Sequence, residues 1–216
     1  MSPSEQPYAG EPIKPPLHLG DPSPRMVHLC VDMQRIFFPG SPWGSPWTER
    51  ILPTVARIAA HSAERAAFTR FIPPVCPTDM PGMWQRYYRR WEPMTRQHLD
   101  PEQLDLPSPL AALVPPAVVV DKTTYSAFML PELHNWLRSV NADSVAITGA
   151  ETDVCILATV LGAVDYGYRV TIVVDGICSS SDPGHEALLE LYAKRFSEQI
   201  DTVESDELLD RWGPSR

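Results

Sequence analysis

What this chain lacks narrows its class quickly. No stretch of its 216 residues forms the uninterrupted apolar run of roughly 18 positions that a membrane-spanning helix needs. The opening MSPSEQPYAGEPIKPPLHLG has no apolar core and does not read as a secretory signal. Cysteine is sparse. Four residues (Cys30, Cys76, Cys155, Cys178) are too few for a disulfide scaffold and point to reduced thiols in a cytoplasmic protein. The six histidines (His18, His28, His61, His98, His134, His185) show no pairing at ligand spacing, so no metal and no other cofactor is expected. Positive charge is short as well: 18 Lys and Arg against 27 Asp and Glu give −9. That balance weighs against nucleic acid or an anionic membrane and leaves a small molecule as the expected partner. Proline almost disappears after Ala117, where only three of the 24 remain.

What is present is the composition of one globular domain, with 44% hydrophobic and 21% charged residues. Residues 1–25 carry seven prolines, whose fixed φ and missing N–H groups make an extended arm, either solvated or laid across a neighbouring subunit. Over 26–204, short apolar runs alternate with helix-length amphipathic segments. Strands are expected at Met26–Val31, Arg65–Phe71, Ala117–Val120, Ser144–Thr148, Arg169–Val174 and Ile200–Val203. Helices are expected at Trp47–Ser62, with Thr48 as N-cap, and at Pro131–Val140, Thr152–Tyr168 and Pro183–Ser197. The alternation predicts an α/β fold, a doubly wound and mostly parallel sheet of about six strands flanked by helices. Residues 72–116, rich in proline with WQRYYRRW at their centre, break the rhythm and suggest a lid-like insertion over one end of the sheet. Residues 205–216 read as a C-terminal tail.

In such a sheet the ligand lies outside the carboxyl ends of the strands. Asp32, Lys122, the Gly149–Cys155 turn and the Asp175–Asp182 loop all fall there. With Thr152 as cap, Cys155 stands in the first helical turn, where free N–H groups and the helix dipole favour a thiolate. A nearby lysine favours the same form, and a carboxylate can take the proton and return it to a leaving amine. Taken singly, each residue has an ordinary explanation: a small buried hydrophobe, a solvated strand-end cation, a loop residue. Their common place at strand ends is what suggests chemistry.

Three stretches, LCVDMQRIFF, VVDKTTYSAF and ITGAETDVCILATVLGAVDYGYRVTIVVDGICSS, resemble the isochorismatase-like cysteine hydrolase superfamily, in order, over roughly Met26 to Val203. The group includes nicotinamidases, N-carbamoylsarcosine amidases, ureidoacrylate and biuret amidohydrolases, and isochorismatases. The resemblance implies a three-layer α/β fold with Asp32, Lys122 and the nucleophile Cys155 as catalytic residues. It also implies a cis bond between Ala150 and Glu151, an oxyanion hole from the N–H groups of Glu151 and Cys155, and a homo-oligomer, dimer or tetramer. The implied reaction is cleavage of a C–N bond in a small amide, ureido or carbamoyl compound through a thioester. Nicotinamidases carry metal-binding histidines after the second strand, and AFTRFIPPVCPTDMPG has none, so Asp79 and His98 read as ordinary loop residues. The alternatives are an isochorismatase-type hydrolase of an enol ether and a non-catalytic binding protein on the same fold.

Phe37, Trp43, Trp84, Tyr125 and Phe128 are the expected substrate-binding residues. Trp84, Tyr87, Tyr88 and Trp91, at helical spacing, read first as packing and second as pocket wall. Arg86, Arg89, Arg90 and Arg96 are either a clamp for a substrate carboxylate or, more simply, a solvated helix face or subunit contact.

Overall fold

The computed structural model describes residues 18–213; residues 1–17 of the expected arm and the last three residues of the chain lie outside them. Six strands form one sheet, β1 (Met26–Val31), β2 (Ala66–Phe71), β3 (Val118–Lys122), β4 (Ser144–Ala150), β5 (Arg169–Cys178) and β6 (Ile200–Val203). Their spatial order is β3-β2-β1-β4-β5-β6, and every neighbouring pair is parallel. The chain builds outward from β1 to β3, then returns to the other side of β1 for β4 to β6. The switch point therefore lies between β1 and β4, both buried at every position, as central strands covered on two faces must be.

Seven helices follow: α1 (Pro46–His61), α2 (Met83–Arg90), α3 (Ser108–Ala111), α4 (Pro131–Ser139), α5 (Leu157–Asp165), α6 (Asp182–Arg195) and α7 (Ser205–Arg211). None among the described residues is long and apolar enough to cross a membrane. On one face, Val27, Leu29, Val145, Ile147, Val170 and Ile172 pack against α4, α5 and α6 through Leu133, Leu137, Val160 and Tyr192. On the other, Cys30 and Phe68 meet Ile51 and Val55 of α1, while Met26, Ala146 and Val173 meet Ile58, Leu208 and Trp212.

Several local expectations shift. The N-cap of α1 is Ser45, whose hydroxyl accepts from the Trp47 N–H, with Pro46 taking the first helical position. Thr48 instead donates its hydroxyl to the Ser45 and Phe37 carbonyls. Strand β5 continues through Asp175 to Cys178. The polar residue is tolerated because its carboxylate accepts from the Ser205 N–H (2.8 Å) and hydroxyl (2.5 Å), which starts α7. The expected tail is thus a packed helix, with Leu208 and Trp212 buried. At the other end, residues 18–21 are tied to their own sheet. His18 lies 3.0 Å from Asp201, and Arg169 donates to the carbonyls of Gly20 and Asp21.

Gly149 closes the switch point. Its φ of +116° suits glycine, and a Cβ there would sit 2.0 Å from the Val31 carbonyl oxygen. Gly149→Ala is expected to cost about 3 kcal/mol or more, read as a lowered urea midpoint. A second stability handle is His28, fully buried in β1, with Nε2 2.8 Å from the Thr148 hydroxyl. Burial lowers its pKa from 6.5 to about 3. The unfolded chain therefore takes a proton that the folded one refuses. This contribution is complete above pH 6.5 and is lost as pH falls toward 3, at up to about 1.4 kcal/mol per pH unit. Urea midpoints measured across that range should fall less steeply for His28→Gln.

Candidate active site

Three strand ends converge at one edge of the sheet. β1 stops at Asp32, whose backbone adopts φ +54°, a left-handed conformation that aspartate tolerates better than most residues. Thr69 of β2 holds the carboxylate: its hydroxyl accepts from the Asp32 N–H (3.1 Å) and donates to Oδ1 (2.6 Å). Lys122, the last residue of β3, places Nζ 2.6 Å from Asp32 Oδ2, with the two side chains 2% and 0% exposed. Nζ also donates to the Thr124 carbonyl at 3.0 Å and stands 4.9 Å from the centre of the Phe71 ring. Gln34 fixes Phe71 by accepting from its N–H at 2.6 Å, while its amide donates to the Phe71 and Leu104 carbonyls.

Cys155 arrives from β4. The Ala150–Glu151 peptide is cis, and a wide π-type turn follows over Thr152–Ile156, in which the Ile156 N–H reaches back five residues to the Glu151 carbonyl at 3.0 Å. Thr152 does not cap this turn. Its hydroxyl pairs with His185 Nδ1 at 2.9 Å, and Glu151 precedes the first helical residue.

Desolvation works against the helix start and the lysine that favour a thiolate. Burial is the largest influence on Cys155 and raises its pKa, the Asp32 charge raises it further, and Lys122 only partly opposes them. Burial alone would lower Lys122, but Asp32 and Cys155 outweigh it and hold the ammonium above its usual range. The dipole and the cation lose to desolvation because the thiol is 6% exposed. These influences favour the thiol on Cys155 and the ammonium on Lys122.

Next to Cys155 lies a cavity of about 360 Å³ lined by Phe37, Trp43, Phe71, Tyr87, Trp91 and Tyr125, together with Glu151 and Ser180. Phe37, Trp43 and Tyr125 are where the sequence put them. Trp84 stands one layer out, 4.8 Å from the Tyr125 ring. Phe128 is not in the wall: it is buried against Tyr166 and Tyr168, at ring distances of 5.4 and 6.2 Å. Phe71 was missed, although as the final residue of an expected strand it satisfied the carboxyl-end rule. Thr69 and Gln34 carried no signal, since a mid-strand threonine and a loop glutamine look ordinary. Arg86, Arg89 and Arg90 are exposed and outside the wall. Arg96 donates to the Pro73 carbonyl. The carboxylate clamp is therefore not built.

A metal ion would need converging ligands. Among the described residues no three His, Cys, Asp or Glu side chains gather to hold one. The Asp79 carboxylate is taken by the Cys76 N–H and thiol, and His98 faces only Glu92 at 3.9 Å.

Residues 26–204 match the Isochorismatase domain. The uncharacterized isochorismatase family protein PncA of Bacillus subtilis is 29% identical over 86 residues, 40% of this chain. The match spans about half of that relative, 47% of its length. A cysteine hydrolase from Pseudomonas syringae pv. phaseolicola 1448A has the same fold, with TM-score 0.77 and 22% identity over 92% of this chain and 97% of that one. N-carbamoylsarcosine amidase from Thermoplasma acidophilum gives TM-score 0.67 and 16% identity over 84% and 97%.

The charges around Cys155 predict opposite shifts in its reactivity. Asp32→Asn removes a charge that raises the thiol, so iodoacetamide labelling of Cys155 near neutral pH should speed up several-fold. Lys122→Met removes the opposing cation, so labelling should slow. Peptide mapping after timed alkylation reads both rates, and shifts in the same direction would contradict this electrostatic account.

Proposed function

The chain belongs to the isochorismatase family of hydrolases, and from that premise we propose that it is a metal-independent cysteine amidohydrolase. It cleaves a C–N bond of a small amide, ureido or carbamoyl compound through a thioester. One observation carries this reading: Cys155 meets a buried Asp32–Lys122 pair beside an aromatic cavity. The four cysteines are free thiols, which fits a cytoplasmic setting.

Substrate enters with its carbonyl carbon over Cys155 Sγ. Asp32 takes the thiol proton as sulfur bonds to carbon. That transfer leaves the charge of the trio unchanged, because the carboxylate becomes neutral as sulfur becomes negative, with Lys122 alongside throughout. The N–H groups of Glu151 and Cys155 receive the oxyanion. The tetrahedral intermediate collapses, the C–N bond breaks, and the proton on Asp32 goes to the leaving nitrogen. Asp32, again a carboxylate, draws a proton from water as its oxygen attacks the thioester; the C–S bond then breaks, the acid product leaves, and Asp32 returns the proton to Sγ, which restores thiol and carboxylate. In a buried site an uncompensated charge at any of these steps would be costly, and the lysine removes that cost without taking part in bond making.

The test is ammonia release from a panel of small amides, ureido acids and carbamoyl compounds, with and without EDTA. Release should survive EDTA and fall at least about ten-thousandfold in Cys155→Ala, with comparable losses in Asp32→Asn and Lys122→Ala. Turnover retained by Cys155→Ala would end the covalent route, and loss in EDTA would end the metal-free one.

A further inference from the structure

We infer that the cavity beside Cys155 selects a positively charged substrate, and that the Glu151 side chain sets this preference. The inference deepens the amidohydrolase reading, on which it relies only for the bond that is cut; the charge selection itself rests on the wall of the cavity. Among the described residues of that wall, six are aromatic and Glu151 alone carries a formal charge. Aromatic faces are the negative side of a quadrupole and attract cations, most strongly where water is excluded. A carboxylate beside them adds a full negative charge to the same field.

The carboxylate is fixed in place and not neutralised. Glu151 Oε1 accepts from the Ser180 N–H at 3.2 Å, and no Lys, Arg or His of the described residues forms an ion pair with it. Lys122, the nearest buried cation to Cys155, is committed to Asp32 and the Thr124 carbonyl. Arg90 lies over the Trp91 ring at 5.7 Å, on the exposed side of α2. Burial is the first cause that raises the Tyr87 and Tyr125 hydroxyls; the Glu151 charge raises Tyr87 as well, against Arg90, and Lys122 opposes the rise at Tyr125. Trp43 Nε1, buried without a partner among the described residues, is a neutral donor suited to a carbonyl or ring acceptor. The substrate class is therefore an amide, ureido or carbamoyl compound bearing an ammonium or guanidinium group, and carboxylic acids of similar size are poor ligands.

The experiment uses the intact chain carrying Cys155→Ser, which blocks turnover, and isothermal titration at low salt with three matched probes. These are meta-(aminomethyl)benzamide, its neutral isostere meta-ethylbenzamide, and the meta-carboxylate of benzamide. The cation should bind about tenfold tighter than the neutral isostere, with the carboxylate weakest. Adding Glu151→Gln, which keeps the side-chain shape and its acceptor for Ser180, should bring the cation down to the level of the isostere. Equal or tighter binding of the neutral or anionic probe overturns the inference, as does no binding of the cation at millimolar concentration. A cation preference that survives Glu151→Gln removes the role assigned to that residue. Ammonia release by the unmutated chain from the same probes separates the two readings. Charge-ordered binding without ammonia from any amide tested would sink the hydrolase reading alone, and ammonia released regardless of charge would sink the selection alone.

Discussion

The buried ion pair between Asp32 and Lys122 is the constraint around which this end of the sheet is organised. Two opposite charges 2.6 Å apart and almost fully excluded from water need partners around them: Oδ1 takes the Thr69 hydroxyl, the ammonium donates to the Thr124 carbonyl, and Oδ2 has the ammonium alone. That requirement reaches across three strands. β1 must end where β3 ends, so that Asp32 and Lys122 face each other over β2. β2 must offer a small hydroxyl at Thr69, where a larger side chain would separate the pair, and an aromatic face at Phe71 beneath the ammonium. The register delivers this, since Phe71 is the neighbour of Lys122 in the β2–β3 ladder. The turn after β3 must present the Thr124 carbonyl inward. Removing either charge would leave the other buried alone, so the pair is as much a condition of the local fold as a part of the chemistry.

In the proposed mechanism the same pair governs the cysteine. A thiol raised by burial and by a neighbouring carboxylate is a poor nucleophile at rest, which protects it from adventitious electrophiles. On the proposed mechanism Asp32 takes its proton during turnover, and a substrate that offers an oxyanion to the turn after β4 makes that transfer favourable. The turn is wide because Gly149 allows β4 to lie against the end of β1 and because the helical hydrogen bonding begins with a five-residue reach. Backbone geometry and proton transfer are thus two aspects of one arrangement.

The sheet was legible from short-range rules, and the same rules put Asp32, Lys122 and Cys155 at strand ends, where the family resemblance gave them roles. Buried parallel strands are apolar runs, and their carboxyl ends are where polar residues stand out. The β5 boundary was misread because Asp175 looks like a strand terminator, and its partner, Ser205, is thirty residues away. Phe128 was misplaced for a related reason. It follows Tyr125 closely in sequence, but Gly162 of α5 leaves room for its ring, and it turns into the core. The helix position that favours a thiolate at Cys155 is visible in a sequence, and the desolvation that opposes it is not.

Sheet and insertion divide the work. The sheet supplies the reacting groups, while α2 and the loop after Asp32 supply the wall, meeting at Trp43. Its ring lies 6.0 to 6.5 Å from those of Phe37, Phe71, Tyr87, Tyr88 and Trp91. Packing and wall, set against each other in reading WQRYYRRW, are one structure: Tyr88 is buried beneath, while Tyr87 and Trp91 reach the cavity. A short helix so aromatic on one side needs strong solvation on the other, and Arg86, Arg89 and Arg90 provide it. The basic cluster faces outward because the inward side is aromatic, and that leaves Glu151 as the charge a ligand meets in the wall.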